Sequence, residues 1–212
     1  MQNPVIIFNA STIGRLAKEI FESNGVVVYG FLDDDKKLHK TEIDEVQVLG
    51  ATDDQGFLKL IGKKCEAFVA TDETKLRKGL TKMLQEVRHI QPMNAVHSKA
   101  NISKRAAIGY GNFIDTDVVI ASGVNVGSHC LIQAQAYVGM DSTLGDFVQV
   151  GIGSKISAGV KIEDEVFIGS CVTIVSGVTI GKGARVGVGS VVIASVKAGD
   201  TVFGNPAQHV KG

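Results

Sequence analysis

From Ile102 to Val192 every sixth residue is aliphatic, beginning Ile102, Ile108, Ile114, Ile120, Val126, Ile132, Val138, Leu144 and running unbroken for sixteen positions. All but Leu144 are β-branched. Four residues after each comes a small or short side chain, among them Ala106, Cys130, Ser142, Val160 and Ser190. Glycine directly follows the aliphatic in eight of the sixteen hexads, as in Ile168-Gly169 and Ile180-Gly181. A helix of 3.6 residues per turn cannot keep a period of six on one face, and each interior glycine would cost it about 1 kcal/mol. Sandwich turns recur every ~8–12 residues and do not match either. A β-helix does: each hexad supplies one short strand and one turn, and three hexads close one coil of a triangular prism. The pattern puts the aliphatic inside, the small residue at the corner, and glycine at turn torsions that side chains resist.

Glycine also marks where this region begins. Of 25 glycines in 212 residues, 7 precede residue 96 and 18 follow it, which predicts two domains, 1–95 and 96–212. Charge excludes several partners. Lys+Arg and Asp+Glu are 22 each, and the two halves carry 13 basic against 14 acidic and 9 against 8. Neither half has the basic field that nucleic acid or an anionic membrane would need. No apolar run approaches the ~18 residues of a membrane span, and the first residues lack a signal peptide's basic start and cleavage site. Cys65, Cys130 and Cys171 are odd in number, with no CxxC pair. That argues against a disulfide framework or a zinc knuckle, and the expectation is a cytoplasmic protein.

The first half reads as a small α/β domain. Val5-Ile6-Ile7-Phe8 suits a buried parallel strand, Ser11 or Thr12 a helix cap, and Ile13, Leu16, Ala17, Ile20 and Phe21 an amphipathic helix that Asn24-Gly25 stops. Further strands are expected at Val26 to Leu32, Val46 to Leu49 and Ala67 to Ala70, with helices at Gln55 to Leu60 and Glu73 to Val87. Arg88 to Met93 is expected to return to the sheet. Alternating strands and helices mean a parallel sheet with ligands at the strand carboxyl ends. Two features fall there: the turn Asn9-Ala10-Ser11-Thr12-Ile13-Gly14 and the acidic run after Leu32. The run is either a solvated turn or a set of acceptors for ribose, sugar or base donors. The turn holds only Gly14 of a dinucleotide fingerprint, so a nicotinamide dehydrogenase is not expected.

Several segments resemble the bacterial sugar-nucleotide acetyltransferases, which include N-acetyltransferases of bacillosamine and perosamine synthesis and sialic-acid O-acetyltransferase relatives. They are the opening VIIFNAS, Gly30-Phe31-Leu32-Asp33-Asp34, Val48-Leu49-Gly50, Arg77, Asn94 to Ala100 (with His97), Leu144-Gly145-Asp146-Phe147 and Gly204-Asn205-Pro206-Ala207. Together they span nearly the whole chain. The resemblance implies an α/β domain, a small Rossmann-like parallel sheet, followed by a left-handed parallel β-helix that associates as a homotrimer. It implies a nucleotide sugar on the first domain, near Ser11, Thr12, Ile13, Asp33, Asp34 and Asp72. It implies acetyl-CoA as co-substrate along the β-helix between neighbouring subunits, past Gln149, Ser170 and Val188, and no metal.

The same resemblance implies a catalytic histidine oriented by the acidic residue after it, because the attacking amine or hydroxyl must lose a proton near neutral pH. Those positions here are Met140 and Asp141. A thioether cannot accept a proton at physiological pH, so the family's general base is absent. A second family histidine falls on Gln149 and an asparagine on Gln133; the histidine-bearing turn after the first strand is Ser11-Thr12-Ile13, and a glycine at the third strand end is Asp72. His129 lies on a different prism face and reads either as a surface or corner residue or as a base that a neighbouring subunit brings to the inter-subunit groove; Asp141 is the other, weaker base. Three convergent histidines for a metal are lacking. Two functions follow as expectations: an acetyl-CoA-dependent sugar N- or O-acetyltransferase, or a non-catalytic trimer that binds a sugar nucleotide or a partner.

Overall fold

The structure, a computed structural model, describes residues 3–210. The chain divides into two compact units, residues 1–98 and 99–212.

The first unit holds a five-stranded sheet in the order β3-β4-β2-β1-β5. Its strands are β1 (Val5–Phe8), β2 (Val28–Leu32), β3 (Glu42–Ile43), β4 (Val46–Gly50) and β5 (Glu66–Val69). All pair in parallel except β3, which forms an antiparallel hairpin with β4. The hairpin was not expected from sequence. Its turn residues Asp44 and Glu45 both take positive φ, 48° and 67°, the torsions that fit a two-residue loop to the right-handed strand twist. Helix α1 (Thr12–Ser23) is capped by Ser11 and stopped at Asn24, followed by Gly25 at φ 74°. It presses Ile13, Ala17, Ile20 and Phe21 onto the sheet, with the Phe21 and Phe68 rings edge-to-face at 5.5 Å. The short α2 (Gln55–Leu58) and α3 (Thr74–Met83) follow, the latter running into a π-helical turn over Leu84–Arg88. Arg88 to Met93 does not return to the sheet as a strand. His89 turns left-handed at φ 54° and ends the helix, and one bond, Met93 N–H to the Ala67 carbonyl, is what reaches β5.

The second unit is a parallel β-helix whose sixteen two-residue strands start at Asn101 and recur every six residues to Val192. Each hexad aliphatic is the second residue of its strand, and from Ile114 onward each is buried to 5% or less. Burying one such side chain stabilises by about 1.5–3 kcal/mol. Strands 18 residues apart pair in register, Val119 with Asn101 and Tyr137 with Val119. The coils therefore stack three faces. Face one carries Asn101–Ile102, Val119–Ile120, Tyr137–Val138 and onward to Val191–Val192; face two runs from Ala107–Ile108 to Thr179–Ile180; face three includes Phe113–Ile114, Gln149–Val150, Arg185–Val186 and Thr201–Phe203. Polar residues in the small corner position serve the stack. Ser154 Oγ donates to the Gly169 carbonyl at 2.8 Å and accepts the Val172 N–H at 3.2 Å. Asn112 does the same with its amide, to the Gly127 carbonyl and from the Cys130 N–H.

The glycines fall into two classes, which corrects the sequence reading. Left-handed torsions occur not directly after the aliphatic but at the third residue after it, at Gly123, Gly153, Gly159 and Gly177, and also at non-glycine His129, Asp141, Phe147 and Cys171. The glycines directly after the aliphatic are there for close approach. A Cβ on Gly139 would lie 2.6 Å from the Ser157 carbonyl carbon of the next coil, and one on Gly151 2.6 Å from that of Gly169.

Candidate functional site

In the first unit, the expected site residues gather at the strand carboxyl ends. The sheet order reverses between β1 and β5, the place where open parallel sheets bind ligands. There Ser11 Oγ donates to the Ala70 carbonyl at 2.8 Å and the Ala10 N–H donates to Asp33 Oδ2 at 2.8 Å. Asp33 is buried, and its other oxygen accepts the Asp35 N–H at 2.9 Å. His39 Nε2 donates to the Asp33 carbonyl at 2.7 Å. Asp33 is therefore a strut between the two loops. Asp34 is exposed but engaged, accepting the backbone N–H and the hydroxyl of Thr52, both at 2.9 Å. Thr12 and Asp72 are exposed, while Ile13 is buried on the inner face of α1. Arg77, fully buried, donates to the Thr71 carbonyl at 2.6 Å and fixes the loop that carries Asp72. A hollow of about 170 Å³ lies beside Thr12, between Arg15, Glu19 and Asp44. Arg15 and Asp44 were not singled out from sequence, because the hairpin that brings Asp44 there was not legible.

In the second unit, the expected residues occupy different corners. Met140 and Asp141 form the turn between faces one and two, and both side chains are exposed, Met140 by 52%. The Asp141 N–H donates to the Ser122 carbonyl, and the Met140 carbonyl accepts from the Gly159 N–H at 2.8 Å. Ser170 and Val188 sit 18 residues apart at the corner between faces three and one, joined by the Gly189 N–H to the Ser170 carbonyl at 2.9 Å. Ile152, 18 residues before Ser170, continues that column and is 50% exposed, as Val188 is 59%. A reading of the sequence at period 18 would have found it. Gln149 is half-buried on face three. One chain thus carries Met140 on one corner and Ser170 with Val188 on another.

His129 lies at the third corner, between faces two and three, buried with its ring 4.9 Å from that of Phe147. Its own N–H donates to the Tyr110 carbonyl. This corner carries a ladder that sequence reasoning missed, also at period 18. The Ser128 N–H donates to Asp146 Oδ1 at 2.7 Å and the Asp146 N–H to Asp164 Oδ1 at 3.1 Å. Nearby Glu163 accepts the Lys182 N–H and pairs with Lys161 at 3.2 Å, and these partners hold its carboxyl below the usual glutamate range. Among the described residues no three His, Cys, Asp or Glu side chains are grouped to hold a metal ion, and no helix is long and apolar enough to cross a membrane.

Residues 141–176 match the bacterial transferase hexapeptide family, six repeats. A histidine-to-asparagine variant of perosamine N-acetyltransferase from Caulobacter crescentus, solved with CoA and GDP-perosamine, is similar over 100% of this chain and 99% of its own, with a TM-score of 0.91 and 25% identity. The fold is that of the left-handed β-helix sugar acetyltransferases. WeeI from Acinetobacter baumannii AYE shares it at 27% identity and a TM-score of 0.85, over 98% of this chain and 99% of its own. So does the acetyltransferase domain of PglB from Neisseria gonorrhoeae FA1090, at 23% identity and 0.88, over 99% and 100%. No curated protein matches the sequence. Both units of this acetyltransferase fold, the α/β sheet and the left-handed prism, lie within these alignments.

Proposed function

We propose that the chain transfers an acetyl group from acetyl-CoA to an amine or hydroxyl of a nucleotide-linked sugar. The observation that carries this reading is the end-to-end likeness to a sugar acetyltransferase solved with CoA and a nucleotide sugar. The nucleotide sugar rests against the carboxyl ends of β1, β2 and β5, near Ser11, Thr12, Asp34 and Asp72. The coenzyme runs along Ile152, Ser170 and Val188. Because Met140 and that column occupy different corners of one chain, the reacting groups meet only when a second copy brings its corner alongside, as in a homotrimer. Cys65, Cys130 and Cys171 form no disulfide among the described residues, which fits work in a reducing compartment, the cytoplasm.

The acceptor nitrogen or oxygen attacks the thioester carbonyl carbon and gives its proton to the Asp141 carboxylate. The carbon–sulfur bond then breaks, and the coenzyme leaves as the thiolate, which takes that proton. A carboxylate is a weaker proton acceptor than an imidazole near neutral pH. Turnover is correspondingly slow. The test is acetyl transfer to nucleotide-linked amino and hydroxy sugars by wild type, Met140→His and Asp141→Asn. We expect Met140→His to gain about 10²-fold or more, the usual worth of a placed general base, and Asp141→Asn to lose what wild type has. Absence of transfer by all three sinks the reading.

A second reading rests on Met140 itself, whose thioether takes no proton: a trimer that binds the nucleotide sugar and leaves it unchanged. Binding of uridine or guanosine diphosphate sugars or of CoA to the native state raises the melting temperature. Shifts with both ligands, without transfer, favour this reading. No shift with either at millimolar ligand rejects both.

A further inference from the structure

The left-handed position of the corner between faces one and two is filled in successive coils by Gly123, Asp141, Gly159 and Gly177, all at positive φ. A Cβ on Gly159 or Gly177 would meet nothing within 4 Å. A Cβ on Gly123 would collide with Asp141 Oδ1. The Asp141 side chain thus leans back over the preceding coil, into the space that the missing Gly123 side chain leaves. The same seating recurs at the corner between faces two and three, where Cβ atoms on Gly127 and Gly145 would meet the carboxylates of Asp146 and Asp164. Those carboxylates each take a backbone N–H of the coil below. The Asp141 carboxylate likewise fills the space a glycine leaves, here at the left-handed position, and stands beside the exposed Met140.

We propose that Gly123 is the positioning residue for Asp141: its bare backbone fixes the direction from which the carboxylate reaches an acyl acceptor. This rests on the transferase reading above and names a further residue of that site. The torsional cost of alanine at this position is shared by Gly177, whose φ of 73° matches the 75° of Gly123, so Gly177→Ala serves as a control that lacks the collision. Any excess effect of Gly123→Ala over Gly177→Ala comes from the displaced carboxylate.

The experiment has two arms. In the first, urea midpoints are measured for Gly123→Ala and Gly177→Ala, each alone and combined with Asp141→Gly. Gly123→Ala is expected to lower the midpoint more than Gly177→Ala, and the excess is expected to vanish when Asp141 is glycine. In the second, kcat and KM for acetyl transfer are compared. Gly123→Ala is expected to lower kcat at least 10-fold with both KM values within twofold of wild type, while Gly177→Ala keeps kcat. Equal midpoint losses in the two backgrounds overturn the proposal, as does a coupled midpoint with unchanged kcat. Coupled midpoints in a wild type that transfers no acetyl group sink the transferase reading and support the seating of Asp141 by Gly123.

Discussion

The Ser11 hydroxyl donates to the Ala70 carbonyl at 2.8 Å and accepts the Gly14 N–H at 3.4 Å. One side chain therefore ties the ends of β1 and β5 across the place where the sheet order reverses, and also caps α1. Ser11→Ala removes the cap and leaves the carbonyl without that donor. Losses for such caps run at about 1–2 kcal/mol. Thermal unfolding of the intact chain is expected to begin several degrees lower, and Ser11→Thr to restore most of the difference. An unchanged melt would mean that the hydroxyl holds neither loop.

The two glycine classes predict different alanine costs. A Cβ on Gly151 would sit 2.6 Å from both the Gly169 carbonyl carbon and the Ser170 nitrogen, whereas one on Gly159 meets nothing. Gly159→Ala therefore carries the torsional cost alone, about 1–2 kcal/mol for a left-handed residue. Gly151→Ala must push two coils apart, an overpacking cost of about 1–3 kcal/mol or more. Urea midpoints are expected to fall further for Gly151→Ala, and the reverse order would reject the distinction.

Glu163 gives a pH prediction. The Lys182 N–H and the Lys161 ammonium lower its folded pKa, so the stabilisation is present above the unfolded value and is lost as pH falls through the folded one. At pH 7 wild type is expected to melt slightly above Glu163→Gln. The two curves are expected to converge as pH is taken below the ordinary glutamate value of about 4.3. A gap that widens in acid would contradict the pairing.

Cysteine labelling tests the coenzyme path. Cys171 is exposed beside Ser170, while Cys65 and Cys130 are buried, and burial pushes the Cys65 thiol up. Iodoacetamide is expected to modify Cys171 in the native protein and the other two after unfolding, because the thiolate is the reacting form. CoA is expected to slow native labelling several-fold. Labelling indifferent to millimolar CoA would place the coenzyme elsewhere.

Much of the second unit was legible because its hydrophobic period is its structure. A residue that recurs every six positions has one place in a three-sided coil, so Ile114, Val138 and Ile168 could be assigned to the core from the string alone. The reach of a glycine was not legible in the same way. Gly123 and Gly159 hold the same place in their hexads, yet a Cβ on one would meet the Asp141 carboxylate and a Cβ on the other nothing. Which atom stands opposite depends on the residue 18 positions on. In the first unit, the β3–β4 hairpin went unseen because no glycine marks its turn; Asp44 and Glu45 take the left-handed torsions themselves. The segment from Arg88 to Met93 reads as a return to the sheet, but His89 ends the helix with a left-handed turn and leaves one bond to β5.

The sequence by itself determined the prism, its six-residue period and a thioether that takes no proton at Met140, because these are properties of residue type at fixed spacing. Tertiary structure alone decided that Asp33 is a buried strut, that Asp44 is brought beside Thr12, and that the Asp141 carboxylate rests over Gly123. Those relations are set by atoms that meet across coils and strands. Close packing brings together residues that are 18 or more positions apart, and no local pattern records which of them will touch.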